Sequence, residues 1–200
     1  ASPYNNTSAE LDAFLERRAA ATGEPFVPFD LDVDYRNYVD GKPRERGVSD
    51  FLSARNIQLP AGSASDGPDA LTVHALGRLK DRYFIEQLRV HGIEAYESSI
   101  ALVRALRAQD VRTAVVSSSK NCAMVLEAAG IADLFDTRVD GVDLVQLGLE
   151  GKPAPDAFLE AMHRLSTRPA RTAIVEDAIS GVQAGRAGGF GCVIAIDRGG

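Results

Sequence analysis

The stretch Val111–Asn121, VRTAVVSSSKN, decides the fold. Four of its first six residues are β-branched and none is Gly or Pro, so Val111–Val116 reads as a strand. The chain then turns polar at once, and Asn121–Ala129 has the spacing of a helix that Gly130 stops. Downstream the alternation continues. Phe135–Val139 is predicted as a short strand, Ala154–Leu165 as a helix, Thr172–Val175 as a strand, Ala178–Ala187 as a helix and Cys192–Ile196 as a strand. Upstream, Ser99–Gln109 is a predicted helix. Strands alternating with helices of this length predict a parallel sheet with helices on both faces, that is, an α/β fold.

Before residues 91–97 the texture is helical and loop-like. Ala9–Ala20 is amphipathic, with Leu11, Phe14 and Leu15 on one stripe, and Gly47–Arg55 is a short helix. Leu59–Pro68 reads as a loop, after which Asp69 is expected to cap a helix running to about Val90, with Leu71 and His74 among its inward candidates. The expected organisation is a mainly helical module over residues 1–94 and an α/β module over residues 95–200, incomplete at both ends.

Composition bounds the function. The chain has 200 residues, 45% hydrophobic and 25% charged, which is ordinary globular usage. A net charge of −6 argues against nucleic acid or an anionic membrane as the main partner. No apolar run approaches the roughly 20 residues needed to span a bilayer. Cys122 and Cys192 stand far apart in apolar surroundings, so a reducing, cytoplasmic location is expected. The sequence sets no oligomeric state.

Ligands of doubly wound folds sit at the carboxyl ends of the strands. After the first strand come Ser117-Ser118-Ser119-Lys120-Asn121, hydroxyls and a cation leading into a helix. This composition suits an anion, although Ser119 alone would serve as a plain helix cap. Next, Gly151-Lys152-Pro153-Ala154-Pro155-Asp156 holds one lysine between prolines, which suits either a phosphate or a solvated turn. After the third strand stand Glu176 and Asp177. Adjacent carboxylates at a strand end suit Mg²⁺, or else a helix N-terminus.

In this order the motifs resemble the haloacid dehalogenase (HAD) superfamily, and within it the β-phosphoglucomutase-like branch. VVSSSKN, GKPAPD and IVEDAISGVQAG are similar to that family's second, third and fourth motifs, and Tyr38–Arg44 with Arg78-Leu79-Lys80 resembles the branch's inserted helical cap. The resemblance implies a HAD-like Rossmannoid core. Ser117 and Lys152 would hold the transferring phosphoryl group, and Glu176 and Asp177 would lie at Mg²⁺. Ser119, Lys120 and Asn121 would meet substrate or its second phosphate. Arg44 and Lys80 would reach the substrate from the cap, although Leu79 and Asp81 depart from the branch's usual Arg-Lys-Asn pattern.

The family's first motif is an Asp-x-Asp closing a central apolar strand, where one aspartate accepts the phosphoryl group and the other moves a proton. Phe29-Asp30-Leu31-Asp32 has the letters, but Pro25 and Pro28 interrupt what should be a buried strand. An acidic loop is the expected reading there, with the central first strand and the nucleophilic aspartate missing from this chain and lying upstream of Ala1. The implied activity is Mg²⁺-dependent phosphoryl transfer on a small phosphorylated sugar through an aspartyl-phosphate. A HAD small-molecule phosphatase stays open, as does a non-catalytic sugar-phosphate-binding module.

Overall fold

A computed structural model describes residues 5–197 apart from 31, 68–69, 79–84, 86–87, 89–91 and 94, with backbone alone over 5–10. Two compact units form: Ala1–Asp40 with Arg44–His91, and Gly41–Pro43 with Gly92–Gly200.

The first unit is helical, with no strand among its described residues. Helix α1 (Asn5–Thr22) buries Leu11, Phe14 and Leu15, the stripe its spacing predicts. They pack with Phe51 and Leu52 of α2 (Arg44–Ala54) and with Phe29, whose ring meets that of Phe51 edge-on at 5.0 Å. Arg55 lies over the Phe51 ring and donates to Pro28 O and Asp34 Oδ2, both at 2.6 Å. The Asp30 carboxylate accepts from the N–H groups of Asp32 and Val33, each at 2.8 Å, leading into a π-helical turn over Tyr35–Val39. Asp30 is thus bound up in a local turn of the helical unit. Residues 73–78 form helix α3. Thr72 Oγ1 accepts from Ala75 N there, so the helix begins after Thr72; Asp69 lies outside the described residues. Leu71 precedes that start and is exposed, against the expectation of an inward side chain.

The second unit is the α/β one. Helix α4 (Glu97–Arg107) leads to β1 (Ala114–Val116), α5 (Cys122–Ala128), β2 (Thr137–Val139), α6 (Gly141–Leu147), α7 (Asp156–Arg164), β3 (Ala173–Glu176), α8 (Ile179–Ala187) and β4 (Cys192–Ala195). β1 pairs parallel with β2, Ala114 opposite Thr137, and β3 pairs parallel with β4, Ala173 opposite Cys192. Both pairs are β-helix-β crossovers. Among the described residues the two ladders do not pair with each other, so the expected sheet is seen as two parallel pairs. Packing joins them. Val139, Leu144, Ala157 and Ala161 form one core cluster; Phe158, Ile174, Ala184 and Phe190 form another; Val116 packs against both. Helix α6 has no counterpart in the sequence reading. No helix among the described residues is long and apolar enough to cross a membrane.

Candidate active site

The carboxyl end of β1 runs straight into the serine turn. Ser117 N donates to Val139 O at 3.0 Å, which carries the β1–β2 ladder one step further. Ser117 Oγ then accepts from Ser119 N, and Ser119 Oγ from Asn121 N, both at 3.1 Å. Each hydroxyl closes a two-residue turn, the arrangement serine favours where a chain reverses. The turn is also tied from outside, because Gly141 N donates to Ser119 O at 3.1 Å. Gly141 opens α6, and Asp140 caps that helix: its buried carboxylate accepts from Val142 N at 2.8 Å and from Arg138 Nε at 2.7 Å. Asp140 N in turn donates to Asp143 Oδ2, completing a capping box. Sequence reasoning missed this support; the pattern Asp140-Gly141-Val142-Asp143 was its signal.

Cys122 opens α5 next to the turn and hydrogen-bonds with Ser117. Burial foremost, and then the Asp140 charge, push its thiol up to about 11. It is therefore a packed thiol at neutral pH and no nucleophile.

Lys152 stands in the loop between α6 and α7. Ala154 N donates to Gly151 O at 3.1 Å and Glu150 N to Asp156 Oδ2 at 3.0 Å, so the loop is closed on itself. The Lys152 ammonium is buried, lies 5.0 Å from the centroid of the Phe158 ring, and is ion-paired to Glu176 Oε1. The other oxygen, Glu176 Oε2, accepts from Asp177 N and Ala178 N, each at 3.0 Å. Gly181 gives this carboxylate its room, since a Cβ there would overlap it. Glu176 thus has both oxygens engaged and acts as the anchor of Lys152. Asp177 is exposed at the end of β3.

Among the described residues no three His, Cys, Asp or Glu side chains stand together as a metal cage. Mg²⁺ needs no such cage: it keeps several waters and takes one or two carboxylates plus substrate phosphate. Asp177 at a strand's carboxyl end fits that donor set.

Arg44 opens α2 in the helical unit, and Lys80 lies outside the described residues. Lys120 is exposed on the serine turn. Gly41–Pro43, whose neighbours on both sides belong to the helical unit, clusters with the α/β unit. Gly41 O accepts from Ser118 Oγ at 2.7 Å.

The turns after β1 and β3 and the Lys152 loop thus present hydroxyls, a buried ammonium and an exposed carboxylate, a set suited to holding and transferring a phosphoryl group. Comparison with known proteins points the same way. A family model described as haloacid dehalogenase-like hydrolase matches residues 11–189. A β-phosphoglucomutase of Mycobacterium bovis is 47% identical over 190 residues, covering 95% of this chain and 72% of the relative. A β-phosphoglucomutase of Bacillus subtilis is 27% identical over 164 residues, covering 82% of this chain and 67% of the relative. The crystal structure of a β-phosphoglucomutase from Clostridium difficile superposes with a TM-score of 0.66 at 20% identity, covering 94% of this chain and 78% of that one. The chain therefore belongs to the haloacid dehalogenase-like hydrolases, in their β-phosphoglucomutase-like branch of phosphomutases and phosphatases.

Proposed function

We propose that the protein transfers a phosphoryl group on a small sugar phosphate with Mg²⁺, through an aspartyl-phosphate, as a β-phosphoglucomutase acting in the cytoplasm. One observation carries the reading: Lys152, buried and held by Glu176 at the carboxyl end of β3. A lysine fixed in this way meets the negative charge that grows on phosphoryl oxygens without having to reorganise. The Ser117 hydroxyl would meet the same oxygens from the end of β1. Asp177 would hold the metal, whose contribution is to neutralise phosphate charge. Ser119, Lys120 and Asn121 would grip substrate beside them, and the helical unit would serve as a cap that brings Arg44 and Lys80 to the non-transferring phosphate.

The reaction needs a carboxylate held in line with phosphorus. Its oxygen forms a bond to phosphorus while the bond to the sugar oxygen breaks, and that oxygen takes up a proton. A second sugar hydroxyl then attacks phosphorus, giving up its proton as its oxygen bonds to phosphorus and the bond to the carboxylate oxygen breaks. Asp30 is a poor candidate, being tied to Asp32 N and Val33 N in a turn of the helical unit. We therefore assign the nucleophile to a carboxylate other than Asp30.

The test uses full-length protein and β-glucose 1-phosphate. Mg²⁺-dependent formation of glucose 6-phosphate is expected, and Asp177→Asn should abolish the Mg²⁺ response while the fold persists. Lys152→Ala and Ser117→Ala should each lower kcat about 10²-fold or more, with a smaller effect on KM. Trapping with beryllofluoride and peptide mapping should locate the modified aspartate outside residues 29–32. Release of inorganic phosphate without isomerised sugar phosphate would give the phosphatase reading instead, and a label on Asp30 would overturn the placement of the nucleophile.

A further inference from the structure

The three serines of the turn do different things. Ser117 and Ser119 each accept, within the turn, an N–H two residues on, and Ser117 also hydrogen-bonds with the neighbouring Cys122. Ser118 reaches out of it, and its hydroxyl donates to the carbonyl of Gly41, 77 residues away, at 2.7 Å. Gly41 is held tightly on its other side as well. Its φ is +69°, and a Cβ there would lie 2.5 Å from Ser180 Oγ and 2.7 Å from Ala178 Cβ, so only glycine fits without displacement. Two residues on, the Pro43 ring occupies the space a side chain on Gly151 would need, directly before Lys152. The short segment Gly41–Pro43 therefore touches the turn after β1, the turn after β3 and the lysine loop. In a fold of this kind those three places frame the ligand.

We infer that Ser118 is a positioning residue, whose hydroxyl keeps Gly41–Pro43 seated across the turns carrying Ser117, Lys152 and Asp177 and so keeps water from the phosphoryl group. The inference rests on the phosphotransfer reading above. Two acceptors compete for a phosphorylated carboxylate. With a sugar hydroxyl the phosphoryl group is passed on. With water, a new phosphorus–oxygen bond forms to the water oxygen, the bond to the carboxylate oxygen breaks, a proton is released, and inorganic phosphate leaves. A segment fastened across the strand ends disfavours the second route by excluding water. Its fastening is one neutral hydrogen bond plus close packing, strong enough to bias the position and weak enough to release between turnovers.

The experiment compares full-length wild type, Ser118→Ala and Ser118→Thr with β-glucose 1-phosphate and Mg²⁺. The readout is the ratio of inorganic phosphate released to glucose 6-phosphate formed, together with hydrogen exchange of a peptide spanning residues 38–44. Ser118→Ala should raise the ratio about fivefold, the worth of one hydrogen bond, and speed exchange in that peptide by a similar factor. Ser118→Thr, which keeps the hydroxyl, should restore both. An unchanged ratio or unchanged exchange in Ser118→Ala, with an active wild type, overturns this inference alone. A wild type that turns over neither β-glucose 1-phosphate nor p-nitrophenyl phosphate overturns the functional reading, and this inference with it.

Discussion

A lysine ammonium with its side chain only 5% exposed is costly to bury without a close counter-charge, and Glu176, itself 8% exposed, supplies it. The pair contributes little net stability compared with an apolar pair of the same volume, but breaking it leaves an uncompensated buried charge. This asymmetry gives a test that separates folding from catalysis. Glu176→Gln should destabilise the protein by about 3 kcal/mol or more. The double change Lys152→Met with Glu176→Gln should recover much of that loss, because no orphaned charge remains. On the proposed phosphotransfer reading activity should be lost in both, since neither would present a fixed ammonium to the phosphoryl group. Urea melts beside kcat measurements check this; a double variant less stable than the single one would show that the pair is held for stability and that its place at the strand end says little about chemistry.

Among the elements, α6 does the most for the site relative to its length. Its cap, Asp140, is buried and accepts from Val142 N and Arg138, while the next residue, Gly141, holds Ser119 O. Asp140→Ala should cost about 1–2 kcal/mol as a lost cap, and somewhat more because Arg138 loses its partner. It should also lower activity through the serine turn, without any contact to substrate; a variant with reduced Tm and unaltered kcat/KM would remove α6 from the support of the site. The sequence reading passed over this seven-residue helix because its apolar run is too short to declare a period. The longer alternation of strands and helices was legible, as was the buried stripe of α1, because local periodicity determines both. Strand lengths were less so. β1 starts at Ala114 rather than Val111, since Thr113 N donates to the Asp136 carboxylate at 2.7 Å, outside the ladder. Motif order singled out Ser117, Lys152, Glu176 and Asp177 as candidate site residues. What each side chain touches was not legible: Glu176 fastening Lys152 across 24 residues and Ser118 holding Gly41 across 77 are tertiary facts with no local signature.

Taken as a whole, the molecule carries a net charge of −6, and its carboxylates set how it answers to acid. In the helical unit Asp30 lies below the usual carboxylate range because the Val33 and Asp32 N–H groups bind it, and Asp66 because the Thr72 hydroxyl and Ser63 N–H do. In the α/β unit the Thr113 N–H lowers Asp136 most, with Arg107 adding to it. Burial alone would raise Asp143, but the Arg164 and Asp140 donors outweigh it and its carboxyl is lowered as well. All four folded values lie below the ordinary 3.8, so the unfolded chain takes up protons first as the pH drops. Their stabilisation is therefore complete above about pH 4 and is lost as the pH falls through the folded values. Neutralising excess negative charge works the other way, but between exposed charges in ordinary salt that relief is small. Urea midpoints should change little from pH 7 to about 5 and fall steeply below about 4. Asp136→Asn and Asp143→Asn should lower stability at pH 7 and flatten the acid limb, because each removes a proton-linked contribution. A midpoint that rises below pH 4, or an acid limb equally steep in the double variant, would place the acid response on other carboxylates.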